Sequence, residues 1–313
     1  MTDLNHTPAL LKETIDLLNL RPGMHVVDCT LGLGGHSLEI LKKIGPTGRL
    51  MVFDQDEANL RIAKTKLKTQ NSKLKNGIIY INDNFEFLKE YTLKNKFKPV
   101  NAILFDLGLS YPHVDDPERG FSFHSDGPLD MRYDKRLKLT AEKVVNTYNE
   151  EKLANIIYEY GEERRSRVIA KKIIHVRRSK PITSTLQLVR IIASALPQKS
   201  KLHPATLTFQ ALRIYVNREL EVLETALDQA INILAPGGRI AVISYHSLED
   251  RIVKNKFRYY TRYCICPKEL PVCQCNFKKK LYILTKRPII PDGIEVSSNL
   301  RARSAKLRVA EAL

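Results

Sequence analysis

The sequence predicts an α/β fold, a parallel sheet covered by helices on both faces and interrupted by an all-helical insertion. Three observations carry this. Short apolar runs at 24–29, 49–53, 78–81 and 102–105 alternate with helix-like segments and lack polar alternation, the pattern of strands buried on both faces. The first run ends at Asp28 and breaks into Gly32, Gly34 and Gly35 before a helical segment, Ser37 to Lys43. The strand rhythm then stops between about Asp115 and Pro204, and resumes at Pro236-Gly237-Gly238.

Taken in order, His6-Thr7-Pro8 opens a helix, with Thr7 as cap and Pro8 in the first turn. Leu10, Leu11, Ile15, Leu17 and Leu18 give it one buried side. Strand one ends in the glycine turn, and strand two, Arg49 to Phe53, ends at Asp54. A Lys-rich helix over 56–68 leads to strand three, and strand four ends at Asp106. Within the insertion, 151–160, 162–178 and 185–196 read as helices, with Ser184 a cap for the last. One long helix is predicted over 206–234, then strand five, Arg239 to Ser244, and a helix over 247–257. Residues 281–286 and 305–310 close the sheet as a hairpin. The implied domains are 1–114 and 206–313, forming the sheet, and 115–205, the insertion.

The chain of 313 residues is 43% apolar, ample for a core. Its 51 Lys and Arg against 34 Asp and Glu leave a net charge of +17, which points to a polyanionic partner such as RNA. Met1 to His6 lacks the basic and apolar regions of a signal peptide, and no run approaches a membrane span. Five cysteines, an odd number, fit a reducing compartment, so a cytoplasmic location is expected.

The chemistry starts at the glycine turn. Glycine allows positive φ and close approach of a ligand to the backbone, and the following helix start offers free N–H groups. Asp54 stands about 20 residues beyond Gly34, where a βαβ unit holds a ribose hydroxyl. This reads as a nucleoside-cofactor site, against the plainer alternative of a βα turn with strand-end acids capping helices. Asp106 ends strand four, where cofactor and substrate would meet.

Five denser motifs go further: Asp106-Leu107-Gly108-Leu109-Ser110; Glu118 to Arg132 with its Glu-Arg-Gly start; His203-Pro204-Ala205-Thr206 running to Arg213; Ser244 to Arg251; and Asn299 to Arg308. With the glycine turn they resemble the family of ribosomal RNA small subunit methyltransferase H, the 16S rRNA cytosine-N(4) methyltransferases, over nearly the whole chain. The resemblance implies a class I S-adenosylmethionine-dependent methyltransferase sheet, Rossmann-like, with an inserted helical domain that recognises substrate. It implies methyl transfer from S-adenosyl-L-methionine to N(4) of a cytidine in the decoding region of 16S rRNA. The implied partner is 16S rRNA or the small ribosomal subunit, and a homodimer is compatible with the sequence. It assigns cofactor contacts to Gly34, Gly35, His36, Asp54, Phe85 and Asp106. His113 is also expected to contact the cofactor; it stands where the family usually has Gln, and keeps one hydrogen-bond donor; Tyr111 and Tyr133 replace commoner Ser and Met.

Asp106 is the expected catalytic residue. A cytosine amine is a poor nucleophile because its lone pair is conjugated into the ring. An acceptor gripping its N–H, either Asp106 or a backbone carbonyl of Leu107 to Ser110, would improve the orbital geometry, with positioning supplying the rest. No metal is assigned to the chemistry.

Several residues keep two readings. Phe121 and Phe123 either stack on a base flipped from its stem or anchor their own loop. Tyr245 or His246 lines the base pocket, or His246 pairs with Asp250 one helical turn on. Arg164, Arg165, Arg167, Lys171, Lys172, Arg177, Arg178 and Lys180 form a phosphate-contacting face or a solvated one, with Val168, Ile169, Ile173 and Ile174 turned to the core. Arg301 and Arg303, alternating with Ala302, would point the same way on an extended segment. Cys264, Cys266, Cys273 and Cys275 either bind zinc or are four free buried thiols. A nicotinamide-dependent oxidoreductase shares the glycine turn and Asp54 but has no use for the basic charge. A non-catalytic RNA-binding module explains the charge but not acids at successive strand ends.

Overall fold

A computed structural model of the chain describes residues 8–70, 77–196, 202–267, 270 and 272–313. His6 and the proposed Thr7 cap lie outside these residues. The chain divides into two compact units, Met1–Gly108 with Leu220–Leu313, and Leu109–Glu219.

The first unit opens with α1 (Leu11–Leu18), β1 (His25–Asp28), α2 (Gly35–Ile44), β2 (Arg49–Phe53), α3 (Glu57–Gln70), β3 (Ile79–Ile81), α4 (Leu88–Lys94) and β4 (Val100–Asp106). The second unit holds α5 (Tyr111–Asp115), α6 (Ala141–Thr147), α7 (Glu150–Gly161), α8 (Ser166–Arg177), α9 (Thr185–Ala195) and α10 (Thr206–Asn217). The chain returns to the first unit with α11 (Glu219–Ile233), β5 (Leu234–Ser244), α12 (Ser247–Tyr260), β6 (Leu281–Ile283), α13 (Gly293–Ser298) and β7 (Lys306–Ala312).

The strands form one sheet in the order β3-β2-β1-β4-β5-β7-β6. The first five pair in parallel, and β7 runs antiparallel to both β5 and β6. This is the class I methyltransferase sheet. Successive side chains of a strand point to opposite faces, and here both faces are buried. Val27, Met51, Phe53, Ile103, Phe105, Ile240 and Val242 pack with α4, α11 and α12 on one side. Val26, Leu50, Val52, Ala102, Leu104, Ala241 and Ile243 pack with α1, α2 and α3 on the other. That double burial explains the unbroken apolar runs.

The second unit has its own core, including Leu129, Met131, Val144, Leu153, Ile157, Ile169, Ile173, Leu188, Ile192 and Leu212. Thr140, Asn149 and Ser184 cap α6, α7 and α9, their side chains accepting from the N–H of Lys143, Lys152 and Gln187. Among the described residues, no helix is long and apolar enough to cross a membrane.

Four expectations need correction. The helix over 206–234 is two helices, broken at Arg218, whose φ of 52° is left-handed; no Gly or Pro marks the break. β6 and β7 do pair, but the connection between them carries α13 and a 3₁₀ turn over Leu300–Ser304 rather than a tight hairpin turn. That turn also undoes the extended reading of Arg301 and Arg303, since two residues on are not on the same side of a three-residue turn. Val168 is 53% exposed rather than turned to the core, while Ile169 and Ile173 are buried.

Candidate active site

Strand order reverses between β1 and β4, and the crevice beyond their carboxyl ends is the ligand position of an open α/β sheet. β1 ends in Asp28, which is buried. Its Oδ2 accepts from Ser37 Oγ at 2.6 Å and its Oδ1 from the Thr30 N–H at 3.1 Å. Burial raises its pKa above the usual carboxylate range. Gly34 reverses the chain at φ 75°, a conformation that penalises any residue with a Cβ. Gly35 begins α2, and a Cβ there would lie 2.3 Å from Pro8 Cγ, so its missing side chain makes room for Pro8. Thr30 Oγ1 accepts from the Asp106 N–H at 2.6 Å, tying the turn to the end of β4.

Asp54 follows β2. Its Oδ2 accepts from the Gly32 N–H at 3.0 Å and from Asn59 Nδ2 at 3.3 Å, and its Oδ1 from the Asp56 N–H at 2.8 Å. Desolvation pushes its pKa up to about 7 against these stabilising bonds. An ionised carboxylate has about four acceptor sites, so Oδ1 can still meet a hydroxyl. Phe85 follows β3 in a 3₁₀ turn whose cap, Asn84, accepts from the Glu86 N–H. Its half-buried ring sets its edge or face against Phe105 at 5.5 Å and 85°. β2 and β3 end in register, Phe53 beside Ile81, so Asp54 and the Phe85 turn leave the sheet at the same edge.

Asp106 is the junction of this site. Its Oδ1 accepts from Tyr245 Oη at 2.8 Å, and its Oδ2 lies 3.3 Å from His36 Nδ1. Burial, then the Asp106 charge, raise the Tyr245 pKa well above its ordinary value, so this phenol stays a donor. Gly108, at φ 98°, lets the Tyr245 ring approach; a Cβ there would be 3.2 Å from the ring. His36 is buried, and its Nε2 has no hydrogen-bond partner among the described residues. Nδ1 faces the Asp106 carboxylate, so Nε2 is the polar atom of the ring left unpartnered.

The structure therefore gathers Gly34, Gly35, His36, Asp54, Phe85 and Asp106 in the first unit. His113 lies in the second. There it is buried, its Nδ1 2.9 Å from Ser110 Oγ and its ring beside Phe121 and Tyr133. Phe121 stacks on Tyr133, and Phe123 on His203 at 4.7 Å, so both serve the internal packing of that unit. His246 does not pair with Asp250. It caps α12, accepting from the Glu249 N–H, while the Glu249 carboxylate accepts from the Tyr245 and His246 N–H groups. Asp250 instead forms a bidentate pair with Arg308 at 2.6 and 3.2 Å. The four cysteines are not buried as free core thiols; Cys264 and Cys273 are exposed, Cys266 and Cys275 intermediate.

Thr30, Ser37 and Tyr245 complete the site, and sequence reasoning assigned the first two no role. Their signal is weak because each acts through a contact with a distant strand or turn.

The model of the MraW methylase family matches residues 3–313. A relative from Caldicellulosiruptor saccharolyticus named ribosomal RNA small subunit methyltransferase H is 50% identical, covering 98% of both chains. Relatives of the same name from Halothermothrix orenii and Finegoldia magna are 47% and 46% identical, covering 98% and 99% of both chains.

Proposed function

This chain belongs to the MraW methylase family, and from that premise we propose that it methylates the exocyclic N(4) of a cytidine in the decoding region of 16S rRNA. The methyl donor is S-adenosyl-L-methionine, which supplies an electrophilic methyl group on a sulfonium. The residues present fit it. Asp54 retains an acceptor for a ribose hydroxyl, Phe85 offers a flat apolar face for adenine, and the buried Nε2 of His36 is a polar atom without a protein partner.

The observation that carries the reading is the anchoring of Asp106 at the switch point by Tyr245 and His36. Two contacts fix the carboxylate while leaving acceptor capacity. It accepts an N–H of the cytosine amine, which turns the nitrogen lone pair toward the methyl carbon. Methyl transfer to the amine nitrogen, with the donor's sulfur leaving as a thioether, would place positive charge on that nitrogen, and Asp106 would take the proton it sheds. Preorganised charge of this kind stabilises the transition state without reorganising.

RNA is held by basic residues of the second unit. Arg164, Arg165, Arg167, Lys171 and Arg178 are exposed, and Arg167, Lys171 and Arg178 share one face of α8 and its end by helical spacing. No carboxylate pairs with Arg164, Arg167 or Lys171 among the described residues. Arg177 serves its own unit, donating to the Val145 carbonyl at 2.6 Å. Such a substrate places the protein in the cytoplasm.

The test is mass mapping of 16S rRNA and of small subunits after incubation with protein and labelled cofactor. One methyl group on N(4) of a single cytidine is expected, and Asp106→Ala should lose at least ~99% of turnover, the scale of losing one preorganised electrostatic group. A methyl group on another atom, or near wild-type turnover in the folded variant, removes this reading.

A further inference from the structure

We infer that Cys264, Cys266, Cys273 and Cys275, between α12 and β6, bind one structural zinc ion, a site independent of the methyl-transfer centre. All four Sγ atoms lie within 4.8 Å of one another. Cys273 and Cys275 are 3.6 Å apart, and Cys275 and Cys264 3.8 Å. Four thiolates at about 2.3 Å from a tetrahedral zinc stand about 3.8 Å from each other, so these separations are those of a coordination shell. A disulfide would need about 2.05 Å.

The backbone supports the same reading. The N–H of Cys266 donates to Cys264 Sγ at 3.4 Å, that of Ile265 to Cys275 Sγ at 3.4 Å, and that of Gln274 to Cys266 Sγ at 3.3 Å. Both Cys-x-Cys turns thus aim N–H groups at sulfur, which favours the thiolate form and orients it, as outer-shell contacts do in metal sites. Burial does not explain the cluster, because Cys264 and Cys273 are exposed. Binding one zinc ion releases four thiol protons and leaves the centre with a net charge of −2 in formal terms. Lys278, Lys279 and Lys280 follow within a few residues and offset that charge. The base of the segment is held by the Lys280 N–H donating to the Tyr260 carbonyl at 2.9 Å and by Phe277 against Tyr259. The metal closes what these contacts leave open, a segment with no helix or strand among its described residues.

The full-length protein, purified under reducing conditions, should carry about one zinc ion per chain. Co2+ added to protein stripped of metal should give the d–d bands of a tetrahedral ion and a thiolate charge-transfer band. Cys264→Ser with Cys275→Ser should reduce bound metal to below about a tenth of an ion per chain while leaving cofactor affinity unchanged. Zinc at trace level with no cobalt bands in the wild-type chain overturns the inference, as does a mass showing disulfides in reductant. The wild-type cobalt spectrum decides the matter even if the double variant fails to fold.

Discussion

Asp54 combines two demands on one carboxylate. It organises the turn by accepting from the Gly32 and Asp56 N–H groups, and it is proposed to meet a ribose hydroxyl. The protein around it pushes its pKa up to about 7, and a hydroxyl donor binds the ionised form better. Cofactor affinity should therefore rise by roughly tenfold between pH 6 and 8, as the ionised fraction climbs through that pKa. Titration calorimetry across this range checks it; Asp54→Asn should flatten the profile, and Asp54→Ala should weaken binding by ~1–3 kcal/mol. The sign for folding is opposite. A carboxyl whose folded pKa exceeds its unfolded 3.8 contributes stability below that value, and the contribution is lost as pH rises through about 7. The acid and its spacing were legible in the sequence. Its raised pKa was not, because desolvation depends on packing from β1, β2 and α3 together.

Among the elements, α12 shows how far local signals reach. His246 and Glu249 form a capping box at its start, readable in principle from the three-residue spacing. Its partner across the sheet is not readable. Asp250 reaches Arg308 of β7, with side chains 14% and 10% exposed, and this pair locks helix to strand. Removing one member of a buried pair strands the other. Asp250→Ala should lower unfolding free energy by ~3 kcal/mol, measured by urea denaturation, and more than the truncation of half-buried Glu39 in its pair with exposed Lys42. Equal, small losses would show the pair to be solvated. Arg308 is thereby committed to the fold, whereas the exposed face of α8 is the one proposed to meet RNA.

At the scale of the whole molecule, the roles proposed for the two units are separable by salt. Phosphate contacts lose affinity with log K falling ~0.7–0.9 per contact per decade of salt. Neutralising Arg164, Arg167 and Lys171 should weaken RNA binding and flatten the salt slope by roughly two to three units, with cofactor affinity unchanged. Binding isotherms over a salt series check this, and parallel slopes would assign the RNA contacts to another surface.

What the sequence determined by itself is periodic or rare. Strands buried on both faces leave unbroken apolar runs, a reversal at Gly34 requires glycine, and strand-end acids recur at Asp54 and Asp106, so the sheet, the turn and the acids at the strand ends were all legible. Tertiary structure alone decided the partners. Tyr245 on Asp106, Thr30 on the Asp106 N–H, Arg308 on Asp250 and the gathering of four sulfurs each join residues from separate segments. Arg218 breaks a helix that its own neighbours favour, because the packing of α10 in one core and α11 in the other outweighs the ~1–2 kcal/mol cost of a left-handed residue. Such contacts follow from the whole chain's packing free energy, which no local window contains.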